Sequence, residues 1–162
     1  MSRFLTTHLN VPADKRFLHM IQNYVRELGM IAGLPDDGVL DLELAAEEAF
    51  MNVVEHAYPD GTAGDVFLEG RIEQAELVLS FRDEGVPLDT LDEGHPAAAR
   101  RSEEAVPQRI GFRLIRHSVD EVHFENLGSR GKALRLVKRL PHIIEARPER
   151  IVQETGTAPP QN

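Results

Sequence analysis

The sequence predicts an α+β fold, a two-layer sandwich in which helices cover one face of a mixed, mainly antiparallel sheet of about five strands. The predicted elements run strand, helix, helix, hairpin, helix, hairpin, which is not the strand–helix alternation of a parallel sheet. The chain of 162 residues has the length of one domain. It contains no GxGxxG, and GSRGKA (128–133) lacks the spacing and the Ser/Thr of a P-loop, so a doubly wound nucleotide-binding fold is disfavoured.

The first half of the chain contains one predicted strand and two predicted helices. Residues 3–11 are rich in β-branched and aromatic side chains, which favours a strand, and Pro12 ends it. Apolar residues at helical spacing predict a helix over 13–30. A second helix is predicted from Pro35, a residue that suits a first helical turn, to about His56, where the turn sequence YPDG follows.

The second half predicts two hairpins separated by a long loop and a helix. Between Pro87 and Pro107 no periodicity holds, which indicates a loop long enough to act as a lid. The elements are strands 65–73 and 76–85, the lid loop 87–107, a helix over 110–119, and strands 121–127 and 132–140 joined by GSRG.

Composition limits the classes of function. Residues 1–141 are predicted to form the domain, and the unpatterned tail 142–162 is predicted to be largely disordered. The absence of cysteine excludes disulfides, thiolate metal sites and a cysteine nucleophile. Since no signal peptide or membrane span is recognisable, we expect a cytoplasmic protein. The net charge of −9 disfavours direct nucleic-acid binding.

The second predicted helix carries a polar stripe. Glu48, Asn52 and His56 follow one another at intervals of four, so they lie on one helical face. A carboxylate can accept a proton, and a carboxamide oxygen is a ligand that suits Mg²⁺. Taken alone, such a stripe is more often the solvated edge of a helix.

Three further motifs could contact a nucleotide. Asp83 ends a predicted strand, where it could accept a hydrogen bond from an exocyclic amine, and Gly85 would allow a flat ring to approach the backbone. The same residues are also ordinary turn chemistry. Gly111 opens a predicted helix whose free backbone amides, with Arg109, suit phosphate, and Gly131 precedes the last strand.

Together and in this order, the four features resemble the GHKL (histidine-kinase-like) ATPase superfamily. The resemblance is closest to the stand-alone anti-sigma factor serine/threonine kinases and covers about residues 5–140. The segments that carry it are EEAFMNVVEHAY, DEGVPLD, LIRHSVDEV and LRLVKRL. It implies the histidine-kinase-like ATPase fold, with ATP and Mg²⁺ as ligands. The implied partners are an anti-anti-sigma (STAS) protein and a sigma factor, and homodimer formation is also implied.

The resemblance implies a role for each matching residue. Glu48 would be the general base, Asn52 the Mg²⁺ ligand, and Asp83 the partner of the adenine amino group. His56 would orient or pack rather than react. The other implied nucleotide contacts are Gly85, Arg109, Gly111 and Gly131.

Two departures from the family pattern favour a second hypothesis, a binding module of the same fold that sequesters a sigma factor or other regulator without catalysis. Gly111 is the only glycine at the end of the lid loop, where family members have several. Lys132 and Ala133 follow Gly131, where the family often has a threonine.

A third hypothesis is a metal hydrolase that uses His56, Glu48 and Glu55. The two-histidine helical motif that such sites need is absent.

Overall fold

A computed structural model describes residues 4–59, 62–86 and 110–141 of the chain. The predicted loop 87–107, Arg109 and the predicted tail 142–162 lie outside the described residues. The strands are β1 (Leu5–Pro12), β2 (Asp65–Glu73), β3 (Glu76–Asp83), β4 (Glu121–Asn126) and β5 (Lys132–Arg139), and the helices are α1 (Leu18–Ile31), α2 (Asp36–His56) and α3 (Ile110–Ser118).

The strands form one sheet in the order β1-β2-β3-β5-β4. All its pairings are antiparallel within the described chain. Strand β5 therefore inserts between β3 and β4, which sets Asp83 opposite Lys132 at the end of the β3–β5 ladder. This register brings together two residues that are far apart in the sequence.

One face of the sheet carries the core. Alternate residues of the central strands are buried against the helices, because successive side chains of a strand point to opposite faces. On β3 these are Leu77, Leu79 and Phe81, and their neighbours on β2 and β5 are Leu68, Leu134 and Leu136. The helices form the second layer, so the predicted α+β sandwich is confirmed.

Helix α2 lies between α1 and α3 and contributes most of the helical core. Pro35 precedes it in an extended conformation, and acidic Asp36 and Asp37 occupy its first turn, where the helix dipole favours negative charge. Its fully buried residues include Leu42, Ala45, Ala46, Ala49 and Phe50. No helix in the described part of the chain is long and apolar enough to cross a membrane.

Helix α1 packs against β1 and β2 at Gly70, a residue of β2 that has no side chain. A Cβ on Gly70 would lie 2.3 Å from Leu28 Cδ1, so a larger residue at this position would force the Leu28 side chain to shift. Beside it, the hydroxyl oxygens of Tyr24 and Thr7 lie 2.6 Å apart in a hydrogen bond. Burial is the main cause that raises the pKa of the Tyr24 phenol.

The element boundaries agree closely with the sequence-based expectations. The hairpin over 65–83 and the helix that ends at His56 are confirmed. The first helix differs at its start, since a 3-10 turn, Lys15–Phe17, precedes α1, and Asp14 caps that turn by accepting a hydrogen bond from the Arg16 amide at 2.9 Å.

Candidate functional site

The polar stripe lies on the exposed edge of α2 next to its buried face. On the neighbouring face Ala45, Ala49 and Val53 are buried, and Leu44 is half-buried. Glu48 and Asn52 are half-buried, so each lies at the boundary between the core and the surface.

Asn52 carries a buried amide nitrogen without a hydrogen-bond partner in the described structure. Its Nδ2 atom is shielded from solvent and meets no acceptor among the described residues. An unsatisfied buried donor costs about 1 to 3 kcal/mol, so native structures rarely keep one unless a ligand or water completes it. The Asn52 amide therefore needs a polar partner from outside the described residues.

His56 occupies the last turn of α2. Its side chain is partly exposed, and its Nε2 atom lies 3.7 Å from the carboxylate of Glu55. The described residues contain no group of three metal-ligating side chains close enough to hold an ion. Nothing here supports the metal hydrolase hypothesis, and an orienting or packing role for His56 stays a prediction.

Asp83, the last residue of β3, is almost completely buried and has two donors on one oxygen. Its side chain is only 3% exposed. The Oδ1 atom accepts a hydrogen bond from the Gly85 amide at 3.0 Å and another from Lys132 Nζ at 2.8 Å. The same ammonium also donates to the carbonyl of Val86 at 2.9 Å. Asp83 is thus the acceptor of a buried charge-assisted hydrogen bond.

The sequence motifs mark Lys132 only as a departure from the family pattern and do not predict its contact with Asp83. One signal was available in the strand pattern. Lys132 alternates with Leu134 and Leu136, so it lies on the core-facing side of β5. A lysine at such a position needs a buried partner.

A backbone hydrogen bond joins the loop after β3 to the end of α2. The Val86 amide donates to the carbonyl of Ala57 at 2.7 Å. A Cβ on Gly85 would lie 2.1 Å from that carbonyl oxygen, so only glycine permits this contact. Asn52 precedes Ala57 by about 7.5 Å along the helix axis. The stripe on α2 and the loop after Asp83 therefore belong to one end of the molecule.

Tyr58 strengthens the same junction. Its hydroxyl donates to the Asp65 carbonyl at 2.8 Å and accepts from the Glu84 amide at 3.1 Å. Burial is the main cause that raises the pKa of the Tyr58 phenol, and the hydrogen bond from Glu84 opposes that rise. Tyr58 thus links the end of α2 to β2 and to the loop after β3.

Gly131 allows the start of β5 to approach Asp83. It has φ of +91°, and a Cβ there would lie 1.8 Å from the Asp83 carbonyl oxygen. Gly128, in the same turn, has φ of +62° with nothing within 4 Å of a Cβ. The predicted glycine turn is thus present, and Gly131 shapes it by contacting the backbone beside the buried carboxylate.

Helix α3 begins at Ile110, so Gly111 lies in its first turn as the sequence predicts. The helix is anchored by Phe112, whose ring lies 5.4 Å from that of Phe124 on β4. The predicted contact of Gly111 and Arg109 with phosphate stays a prediction, since Arg109 lies outside the described residues.

A polar concavity of about 400 Å³ lies away from α2, on the sheet. Ser80 and Arg135 are among the residues that line it. These two side chains alternate with Leu79, Leu134 and Leu136, so they belong to the face of the sheet opposite the helices. This concavity is therefore separate from the junction of α2 with Asp83.

Comparisons with known proteins agree with this architecture. A family model described as the histidine kinase-like ATPase domain matches residues 11–138. The anti-sigma F factor of Bacillus velezensis is 25% identical over 104 residues, which are 64% of this chain and 71% of that protein. The anti-sigma F factor of Bacillus cytotoxicus is 29% identical over 100 residues, 62% of this chain and 68% of that protein.

Two solved structures share the fold. The RsbU and RsbW domains of Rv1364c from Mycobacterium tuberculosis match with a TM-score of 0.59 and 17% identity, covering 84% of this chain and 32% of that one. The histidine kinase domain of a blue-light activated kinase from Erythrobacter litoralis matches with a TM-score of 0.51 and 18% identity, covering 80% of this chain and 62% of that one. The matches confirm the resemblance that the sequence predicts.

Proposed function

We propose that this chain, which belongs to the histidine kinase-like ATPase family, is an anti-sigma regulatory factor that uses Mg-ATP to phosphorylate a serine or threonine of an anti-anti-sigma (STAS) partner. Membership of this ATPase family supports the proposal that the chain binds a nucleotide. The likeness to anti-sigma F factors supports the regulatory role. A sigma factor is the second proposed partner, and the cytoplasm is the proposed compartment.

The observation that carries the proposal is the unsatisfied amide of Asn52 on the same face of α2 as Glu48. A carboxamide beside a carboxylate can serve a Mg-ATP site, because the amide nitrogen can donate to phosphate, the amide oxygen can bind the metal ion, and the carboxylate can accept a proton. Asn52 and Glu48 are such a pair. Asp83, fastened to the same end of α2 through Gly85, supplies an acceptor for a purine amino group.

The roles follow from the chemistry of each side chain. As the partner's hydroxyl oxygen bonds to the γ-phosphorus and the bond to ADP breaks, Glu48 takes the hydroxyl proton. The amide oxygen of Asn52 would hold Mg²⁺, and Asp83 would orient the purine. Bound Mg²⁺ would offset the charge on the transferring phosphate. Gly85, Gly111, Gly131 and Arg109 are the remaining proposed contacts to the nucleotide.

Phosphate transfer to a STAS domain tests the catalytic part of the proposal. The wild-type protein, Glu48→Ala and the control Glu55→Ala would each be incubated with labelled Mg-ATP and the STAS domain. Glu55 lies on the same helix but is exposed and contacts His56 rather than Glu48 or Asn52, so its removal leaves the proposed base and metal ligand unchanged. We expect Glu48→Ala to transfer phosphate about 100-fold or more slowly while still binding ATP, and Glu55→Ala to match wild type. Equal rates for all three would refute the role of Glu48.

A second candidate function is a catalytically weak or inactive binding module that sequesters a sigma factor or other regulator. The observation that favours it is the Lys132 ammonium on Asp83, because this contact already engages the carboxylate that the purine amino group would bind. ATP binding without phosphate transfer by the wild type would favour this candidate. Failure to bind ATP would remove the catalytic proposal.

A further inference from the structure

The contact between Lys132 and Asp83 places a cation where the proposed site needs an acceptor for a base. The side chains of Lys132 and Asp83 are 10% and 3% exposed, so the pair is buried. Lys132 Nζ has three N–H groups, and two are used by Asp83 Oδ1 and the Val86 carbonyl. The ammonium is therefore held on both sides of the loop that contains Gly85.

A neutral amine that replaced this ammonium would bind the Asp83 carboxylate less strongly. The ionised carboxylate makes a charge-assisted hydrogen bond with either donor, but only the ammonium adds the attraction between opposite charges. The amino group of adenine is neutral, so its bond to Asp83 Oδ1 would be weaker than the bond that Lys132 already makes. The cation that is displaced must also find a new partner or reach solvent.

We propose that Lys132 is an intramolecular competitor of the nucleotide base: its ammonium occupies Asp83, and ATP binds only when Lys132 leaves. This inference rests on the proposed function, since it assigns Asp83 to the purine amino group. Lys132 then sets the affinity for ATP and keeps the site closed at low nucleotide concentration.

Replacing Lys132 by threonine tests the competition. Threonine removes the ammonium and keeps a hydroxyl. The matched control is Lys138→Thr, because Lys138 is on the same strand and face and bonds to Asp41 at 3.2 Å and to the Ser118 carbonyl at 2.8 Å, away from Asp83. We expect Lys132→Thr to bind Mg-ATP about tenfold more tightly than wild type, and Lys138→Thr to bind as wild type does.

A nucleotide without the amino group identifies the cause of any gain. The triphosphate of unsubstituted purine riboside cannot donate to Asp83, so its affinity should be equal for wild type and Lys132→Thr. A gain of the same size for both nucleotides would overturn the inference. So would unchanged or weaker ATP binding by Lys132→Thr when the wild type binds ATP.

The outcomes separate this inference from the proposed function. If the wild type fails to bind ATP but Lys132→Thr binds it, the competition is supported and the kinase activity of the natural chain is refuted. If the wild type binds and transfers phosphate but Lys132→Thr gains nothing, only the competition fails. If neither protein binds ATP, both fail.

A measurement on the wild type avoids the instability that an unpaired buried carboxylate causes. Nitrogen-15 NMR of lysine ammonium groups detects those that are protected from exchange with water, as the buried Lys132 should be. We expect the Lys132 signal to lose its protection on addition of saturating Mg-ATP, while the Lys138 signal persists. A Lys132 signal that keeps its protection in the ATP complex contradicts displacement.

Discussion

Replacing Gly131 by alanine should destabilise the fold far more than the same change at Gly128. Both glycines lie in the turn before β5 and both have positive φ. The Gly128 conformation, with φ of +62°, is left-handed and open, so alanine there should cost about 1 kcal/mol. Gly131 combines φ of +91° with a Cβ position 1.8 Å from the Asp83 carbonyl oxygen, and backbone must move to admit a methyl group.

Gly131→Ala should lower the free energy of unfolding by about 3 kcal/mol. This is the sum of about 1 to 2 kcal/mol for the backbone conformation and about 1 to 3 kcal/mol for overpacking. In a domain of this size that loss lowers the melting temperature by about 6 to 12 °C. Urea denaturation of wild type, Gly131→Ala and Gly128→Ala, followed by circular dichroism, measures the difference. Equal destabilisation by the two substitutions would refute the close contact between the turn and β3.

Two other predictions concern the junction of α2 with the loop after β3, and a third concerns the phenols of Tyr24 and Tyr58. Gly85→Ala should lower the free energy of unfolding, measured by urea denaturation, by about 2 kcal/mol, because the added methyl group meets the Ala57 carbonyl. The same substitution should weaken ATP binding. Unchanged stability and unchanged binding would contradict the contact. Tyr58→Phe should cost about 1 kcal/mol through loss of the bonds to Asp65 and Glu84, and an unaltered urea midpoint would argue against them. Since folding raises the phenol pKa values of Tyr24 and Tyr58, their contribution to stability is complete below about pH 10 and is lost above it. Denaturation between pH 9 and 11 should show this fall, and it should be shallower in the double phenylalanine variant.

Much of the fold could be predicted because local patterns were strong. The helix ending at His56 combines a proline start, acidic residues in its first turn and a YPDG turn, so its bounds were nearly correct. Strand β2 was predicted to the residue because a polar turn separates it from β3. Such signals depend only on neighbouring residues.

The contacts that shape the site could not be predicted in this way. The pairing of Asp83 with Lys132 depends on the insertion of β5 beside β3 and on the register of that pair. The burial of the Asn52 amide depends on how α2 lies among its neighbours. Sequence motifs identified Asp83 and Asn52 as candidates, but tertiary packing alone decides what each side chain contacts.

The Mg²⁺ dependence of ATP binding tests the role of Asn52 most directly. Calorimetric titration of ATP, with Mg²⁺ and with a chelator, would compare wild type, Asn52→Ala and the control Asn23→Ala, whose asparagine is exposed on α1. We predict that Mg²⁺ strengthens ATP binding to wild type and Asn23→Ala, and that Asn52→Ala loses this increment. No ATP binding by the wild type, or the same Mg²⁺ increment in Asn52→Ala, would contradict the assignment of α2 as the metal and nucleotide helix.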